Sequence, residues 1–324
     1  LVEQVHFTLG RHRGDDPRSG WISGLSEQEG RRHPTFGGLR IGKKLNERMS
    51  GDPRDDRLEW DRDGQYYHYL TKWMQALDQV SRSTGDPRFN QWAMELARAA
   101  HDGFVRKDQA GGKWMCWKMS IDLSRPLVSS MGQHDPLDGL ITYTQLQATA
   151  AEINGDVSPG LDGPIEDMKA LCRQISWATE DPLGIGGLLC DAYRSAQLSA
   201  KGRCPQSGLV KDLLSAAQRG LEAWNSGTIL TLSPGYRLAF RELGLAIGLH
   251  ALERLGGPAA ETGHRFFDKS PKDRLFGHLL PHSDLAERIE AFWLEPENRK
   301  TPSWMEHQDI NSVMLATSLA PDGY

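Results

Sequence analysis

Four times along this chain a proline follows an acidic or hydroxyl side chain at the head of a long apolar-rich segment: Asp86-Pro87, Asp135-Pro136, Asp181-Pro182 and Ser233-Pro234. Proline suits the first position of a helix, where its missing N–H would lack a partner, and Asp or Ser ahead of it caps the following amides. The same device is foreign to the interior of a strand. A chain that repeats it is expected to fold as a succession of helices.

The apolar spacing agrees. Over 64–84, Tyr66, Leu70, Trp73, Met74, Leu77 and Val80 recur at helical intervals. Thr84-Gly85-Asp86-Pro87-Arg88 stops that helix, and a second runs through Trp92, Leu96 and Ala99 to Phe104. The hairpin recurs as 136–153 with 164–175, 182–200 with 208–224, and 234–255 followed by 283–293. A last helix over 308–318 sets Ile310, Val313 and Met314 on one face. Segment 113–119 alternates like a short strand, and little else reads as sheet. Helix pairs of this kind bury their apolar faces against their neighbours. The variable spacing and long intervening loops favour a closed ring over an open solenoid. Helices 136–153, 182–200 and 234–255 lack a clear polar face and are expected inside, while their amphipathic partners face water.

On this succession, and on local texture such as Tyr69-Leu70-Thr71-Lys72-Trp73 followed by Thr84-Gly85-Asp86-Pro87-Arg88-Phe89, the chain from about 61 onward resembles the six-hairpin glycosidase superfamily. These α/α toroids include many glycoside hydrolases and the N-acylglucosamine 2-epimerases. The resemblance implies an all-α fold, an (α/α)6-type toroid with minor β content, as a single domain over 1–324. It implies a carbohydrate-active enzyme, in the first instance a glycoside hydrolase with paired carboxylates at the mouth of the ring. Two alternatives stay open: a sugar epimerase or isomerase with His307 and His134 as acid/base groups, and a non-catalytic sugar-binding or scaffold protein. Fold alone does not choose among them.

In such a ring the inner helices run the same way and their N-termini share one mouth. The residues ahead of those N-termini are Glu59-Trp60-Asp61-Arg62-Asp63, Gln133-His134-Asp135, Thr179-Glu180-Asp181, Ser233 and Trp304-Met305-Glu306-His307. The expected catalytic residues are therefore Asp61, Asp63, Asp138 and His307. The expected substrate-binding residues are Glu59, Trp60, Tyr67, His134, Arg237, Trp304 and Asp309. Glycosidic cleavage uses two carboxyl groups, one protonated and one ionised, and a like-charge cluster near aromatic rings raises one pKa.

Several of these residues have structural duties in prospect. Asp135 and Asp181 are expected to be helix caps, and one of Asp61 and Asp63 is expected to cap the helix beginning near Gly64. Asp138, at the third position of a helix, either caps or points into the mouth. His134 has no capping role and is expected to touch the ligand. Arg237 and Arg241 either bind an acidic sugar or pair with Asp or Glu. The first 60 residues are rich in Gly, Arg, Asp and Pro, with one helix near 2–11. Loop 13–59 leads into the acidic cluster and is expected to cover the pocket, with Trp60 as a stacking face. Trp21, Trp60, Trp114, Trp117 and Trp304 lie in loop-like or polar contexts, where aromatic faces suit sugars or simply pack under loops.

Other classes drop out. A net charge of −5 without a basic stripe excludes a phosphate-neutralising nucleic-acid binder. No apolar run approaches the roughly 20 residues that cross a bilayer, and LVEQVHFTLGRHR lacks the pattern of a signal peptide. Cys116, Cys172, Cys190 and Cys204 form no C-x-x-C pair, which reads as reduced thiols in a cytoplasmic protein. The partner expected is a small-molecule carbohydrate, and a homo-oligomer is left open. There is no P-loop and no G-x-S-x-G elbow, while Gly184-Ile185-Gly186-Gly187 reads as close helix packing. His278 and His282 have the spacing of zinc ligands, but Pro281 interrupts a helix between them and no third ligand is evident. No metal and no cofactor are expected.

Overall fold

Helix α4 (Tyr67–Thr84) buries Tyr67, Leu70, Thr71, Met74, Leu77, Asp78 and Ser81, one stripe at intervals of three and four. It stops at Gly85, which holds the left-handed conformation (φ 73°) that favours glycine. Asp86 then accepts a hydrogen bond from Arg88 N, and with Pro87 at the first turn it opens α5 (Pro87–Phe104). The computed structural model describes residues 1–53, 55–109, 111–154, 160–206, 208–224, 226–256 and 274–320. They are mostly helical. Among them, no helix is long and apolar enough to cross a membrane. The chain divides into two compact units, Leu1–Ile175 and Ser176–Tyr324.

In the first unit, α1 (Val2–Leu9), α2 (Glu27–Arg32) and α3 (Asp56–Asp61) precede strand β1 (Gln65–Tyr66) and the α4–α5 hairpin. Strands β2 (Val105–Lys107), β3 (Lys113–Met115), β4 (Lys118–Met119) and β5 (Pro126–Val128) lead to α6 (Asp135–Asn154) and α7 (Asp162–Cys172). One antiparallel sheet has the order β1-β4-β5, and β2 pairs with β3. The expected single strand over 113–119 is therefore two, split at Cys116 and Trp117. Segment 13–59, read as loop throughout, carries the short helices α2 and α3. Helix α4 starts three residues later than the expected Gly64. The side chain of Gln65, bonded to Leu39 N, Gly37 O and Ile121 O, holds that residue in the sheet.

Helices α4 and α6 run side by side in the same direction. Gln75 bonds Asp138 and Thr142, and one turn further Asp78 accepts from Gln145. Helix α7 returns antiparallel, with Gln147 of α6 on Asp162 at its start.

The second unit comprises α8 (Pro182–Ala200), α9 (Leu209–Ala223), α10 (Ser226–Ile229), α11 (Ala239–Leu255), α12 (Arg274–Leu279), α13 (Asp284–Leu294), α14 (Pro302–Met305) and α15 (Gln308–Leu319). Asp181 caps α8 through Leu183 N. Helices α8 and α11 run parallel at backbone contact: a Cβ on Gly186 would lie 2.0 Å from Gly244 O, and one on Gly248 would lie 2.5 Å from Gly186 Cα. Phe240 against His307 and Gly244 beside Met314 set α15 parallel to α11. Helix α13 runs against them, with Trp293 on Glu242 and Glu290 on His250.

The helix expected to begin at Pro234 is interrupted. Pro234–Tyr236 is a single 3-10 turn, Ser233 makes no side-chain cap, and Arg237 is extended (φ −116°, ψ 146°). That conformation turns the Arg237 guanidinium inward onto the Glu242 carboxylate (2.6 and 2.9 Å). His278 and His282 lie on α12 and on the following 3-10 turn, Leu280–His282.

Candidate functional site

The parallel run of α4 and α6 brings their first turns together. On α4, His68, Thr71, Lys72 and Gln75 occupy one stripe. Thr71 Oγ1 donates to Asp138 Oδ2 (2.5 Å), Gln75 Nε2 donates to Oδ1 (2.9 Å), and Lys72 Nζ lies 3.2 Å from Oδ2. These donors suit an ionised carboxylate. Asp138 is thus aimed across the helix pair at α4.

Asp135, one turn earlier on the same helix, is in a different state. It is buried, and its carboxylate accepts from Gly132 N (3.2 Å), upstream of the helix. It does not cap the amides that follow, contrary to the expectation from Asp-Pro. Burial, with the charge of Asp138 added, pushes its pKa up to about 7, against the pull of the Gly132 N–H and Lys72. Two carboxyl groups on one turn are therefore unlike: one bonded by donors, the other carrying a proton near neutrality.

An aromatic cluster gathers at the start of α4, and the charge of Asp138 acts on its His68 ring. Trp117, in the link between β3 and β4, stacks on Tyr66 (4.8 Å, 29°) and lies nearly parallel to His68 (6.2 Å, 9°). The exposed Trp60 meets its edge at 5.3 Å. Pairing of Tyr66 with Lys118 across β1 and β4 sets this register. Burial, reinforced by Lys72, lowers the His68 pKa to about 4, so the ring is neutral at ordinary pH.

The acidic cluster before α4 has other duties. Asp63 is fully buried, bonded to Arg40 (3.0 Å), Gly42 N (2.8 Å) and Gly64 N (3.0 Å), with Arg13 at 3.7 Å. Glu59 is buried between Arg48 (3.2 Å) and Lys118 (3.1 Å). The Lys118 ammonium also donates to the carbonyls of Glu59 and Arg62, and burial lowers its pKa. Asp61 is exposed at the end of α3. Neither Asp61 nor Asp63 caps α4, whose N-cap is Tyr66 without a side-chain bond. Tyr67 is fully buried, bonded to Tyr143 (2.8 Å) and laid over Gly139, so it braces α6. His134 immediately precedes α6, half-buried, and its carbonyl accepts from Asp138 N (2.9 Å).

The remaining expected residues belong to the second unit. Arg237 is buried on Glu242, over the Phe292 ring at 3.6 Å, which leaves it no acidic sugar to bind. Trp304 is buried against Trp293 (5.6 Å). His307 is exposed at the start of α15, its ring against Phe240 (5.3 Å), and Asp309 is exposed on the first turn. Arg241 pairs with Asp181 (3.0 Å).

The sequence reading assigns no site role to His68, Thr71, Lys72 or Gln75. Their helical stripe at 68, 71, 72 and 75 was the available signal. Compared with known proteins, the chain matches no family model, no curated protein and no solved structure. Among the described residues, no three His, Cys, Asp or Glu side chains are grouped to hold a metal.

Proposed function

We propose that this protein is a carbohydrate-active enzyme, a glycoside hydrolase, with its acid–base pair on the first turn of α6. The observation that carries this reading is the inequality of Asp135 and Asp138, with Asp138 acting on the His68 ring that lies parallel to Trp117. Asp135, protonated near neutrality, supplies a proton to the leaving glycosidic oxygen. Asp138, ionised, balances the positive charge that develops on the sugar or activates water. The exposed Trp60 offers the apolar face of a sugar ring a stacking surface. The parallel run of α4 with α6, and of α8, α11 and α15 within their own unit, supports assigning the hairpins to an (α/α)6-type ring. Four free cysteines support a cytoplasmic location.

The test is a panel of aryl glycosides and natural disaccharides assayed with wild type, Asp135→Asn and Asp138→Asn. Each variant should lose about 10²–10⁴-fold in turnover while folding normally. Full turnover in Asp135→Asn, on any sugar that the wild type cleaves, removes the proposal.

A further inference from the structure

The His68 ring is held on several sides by other rings, and its nitrogens are left uncommitted. Trp117 lies parallel to it, Tyr66 stacks at 5.7 Å and 22°, and Tyr69 meets it edge-on at 4.3 Å. No hydrogen bond joins either ring nitrogen to another of the described residues. The side chain is partly exposed, so a small molecule at this cluster reaches it. The Thr71 hydroxyl, its one proton shared between the His68 carbonyl (2.9 Å) and Asp138 Oδ2 (2.5 Å), joins the His68 backbone to the carboxylate.

The charges that act on the ring, Lys72 and Asp138, are paired with each other. Lys72 sits on Asp138, Arg48 and Lys118 on Glu59, and Arg40 on Asp63. An anionic ligand at the ring would meet the Asp138 carboxylate, whose charge already acts on His68, with Lys72 committed to that carboxylate. A neutral imidazole offers one donor and one acceptor, which matches a hydroxyl group that gives and takes a hydrogen bond.

We infer that His68 is a ligand-binding residue and that its ligand is an uncharged sugar, recognised through hydroxyl groups and not through a carboxylate or phosphate. The inference rests on the carbohydrate reading above and narrows its substrate class. The low pKa of the ring agrees, because it keeps the acceptor nitrogen available throughout the neutral range.

Calorimetric titration tests it, with maltose, cellobiose, lactose and N-acetylglucosamine set against glucuronate and galacturonate at neutral pH. Wild type should bind at least one neutral sugar, with the uronates about ten-fold weaker or undetected. His68→Phe keeps a ring for stacking and removes both nitrogens. It should weaken the neutral sugar about ten-fold, the scale of one or two lost hydrogen bonds, with an unchanged melting temperature. His68→Gln, which retains a donor and an acceptor, should recover part of that loss. Tighter binding of a uronate, or undiminished affinity in His68→Phe, overturns the inference and leaves the carbohydrate reading standing. Failure of wild type to bind any of the sugars overturns both.

Discussion

Lys72 Nζ lies 3.2 Å from Asp138 Oδ2, so the second turn of α4 is tied to the first turn of α6 by a charge pair. The same ammonium acts on Asp135, where it favours the anion. Lys72→Met removes that pull and raises the Asp135 pKa further. If Asp135 is the acid, the alkaline limb of the pH–rate profile reports its titration. The limb should move to higher pH by up to about 0.7 unit, since Lys72 is largely exposed and its interaction is worth roughly 1 kcal/mol at most. A limb that stays in place or moves to lower pH contradicts the assignment.

Asp135 also predicts a cost in stability. Its folded pKa of about 7 lies above the ordinary 3.8. The native state therefore holds a proton that the unfolded chain has released, and stability falls as pH rises from about 4 to about 7. The upper bound is about 4 kcal/mol, from roughly three units at 1.36 kcal/mol each. Asp135→Asn keeps the shape and has no charge to bury. Its melting temperature should match wild type near pH 4 and exceed it increasingly toward neutral pH, as calorimetry at several pH values would show. A variant that is less stable at neutral pH would restore the capping role.

Asp63 and Asp61 should behave oppositely. Asp63→Asn leaves Arg40 and Arg13 without their buried counter-charge. The loss should be about 3–5 kcal/mol in denaturant unfolding. Asp61 is exposed, and its amide should change stability by no more than about 0.5 kcal/mol. Equal effects would contradict this division.

What was legible in the sequence was local. Asp86-Pro87 and Asp181-Pro182 do open helices, because cap, proline and amide partner lie within three residues. Ser233-Pro234 carries the same signal and fails, since Arg237 turns inward to Glu242 and Trp293 beyond the reach of any short pattern. Asp63 looked free for chemistry because its arginines lie far upstream. Trp117 was noticed as a tryptophan in a polar context, but its place on Tyr66 depends on the pairing of β1 with β4. The sequence reading of Gly186 as a packing residue needed only its neighbours, and the backbone of α11 does lie against it.

That contact makes its own prediction. A methyl group at Gly186 would sit 2.0 Å from Gly244 O, a backbone atom that cannot swing aside. Gly186→Ala must push α8 and α11 apart, and should cost about 1–3 kcal/mol despite the better helix propensity of alanine. Gly187, with open space at its Cβ, is the control, and Gly187→Ala should be neutral or stabilising by up to about 1 kcal/mol. Equal melting temperatures for the two variants would refute the tight approach.

The second unit contains a pH-dependent junction. His250 on α11 bonds Glu290 of α13 (2.7 Å) and lies 3.3 Å from Glu253, and Ser318 of α15 donates to the same Glu290 oxygen. Bonding to Glu290 raises the His250 pKa above its ordinary 6.5, more than burial lowers it. A raised histidine pKa adds stability that is complete below the unfolded value and is lost as pH rises through the folded value. Three helices share the junction, so the loss should appear in global unfolding and not only at one helix end. Wild type should therefore lose more stability than His250→Gln as pH rises from about 6 through the neutral range. Glutamine still donates to Glu290 but carries no titrating charge. Parallel stability curves for the two proteins across that range would show that His250 enters the fold uncharged.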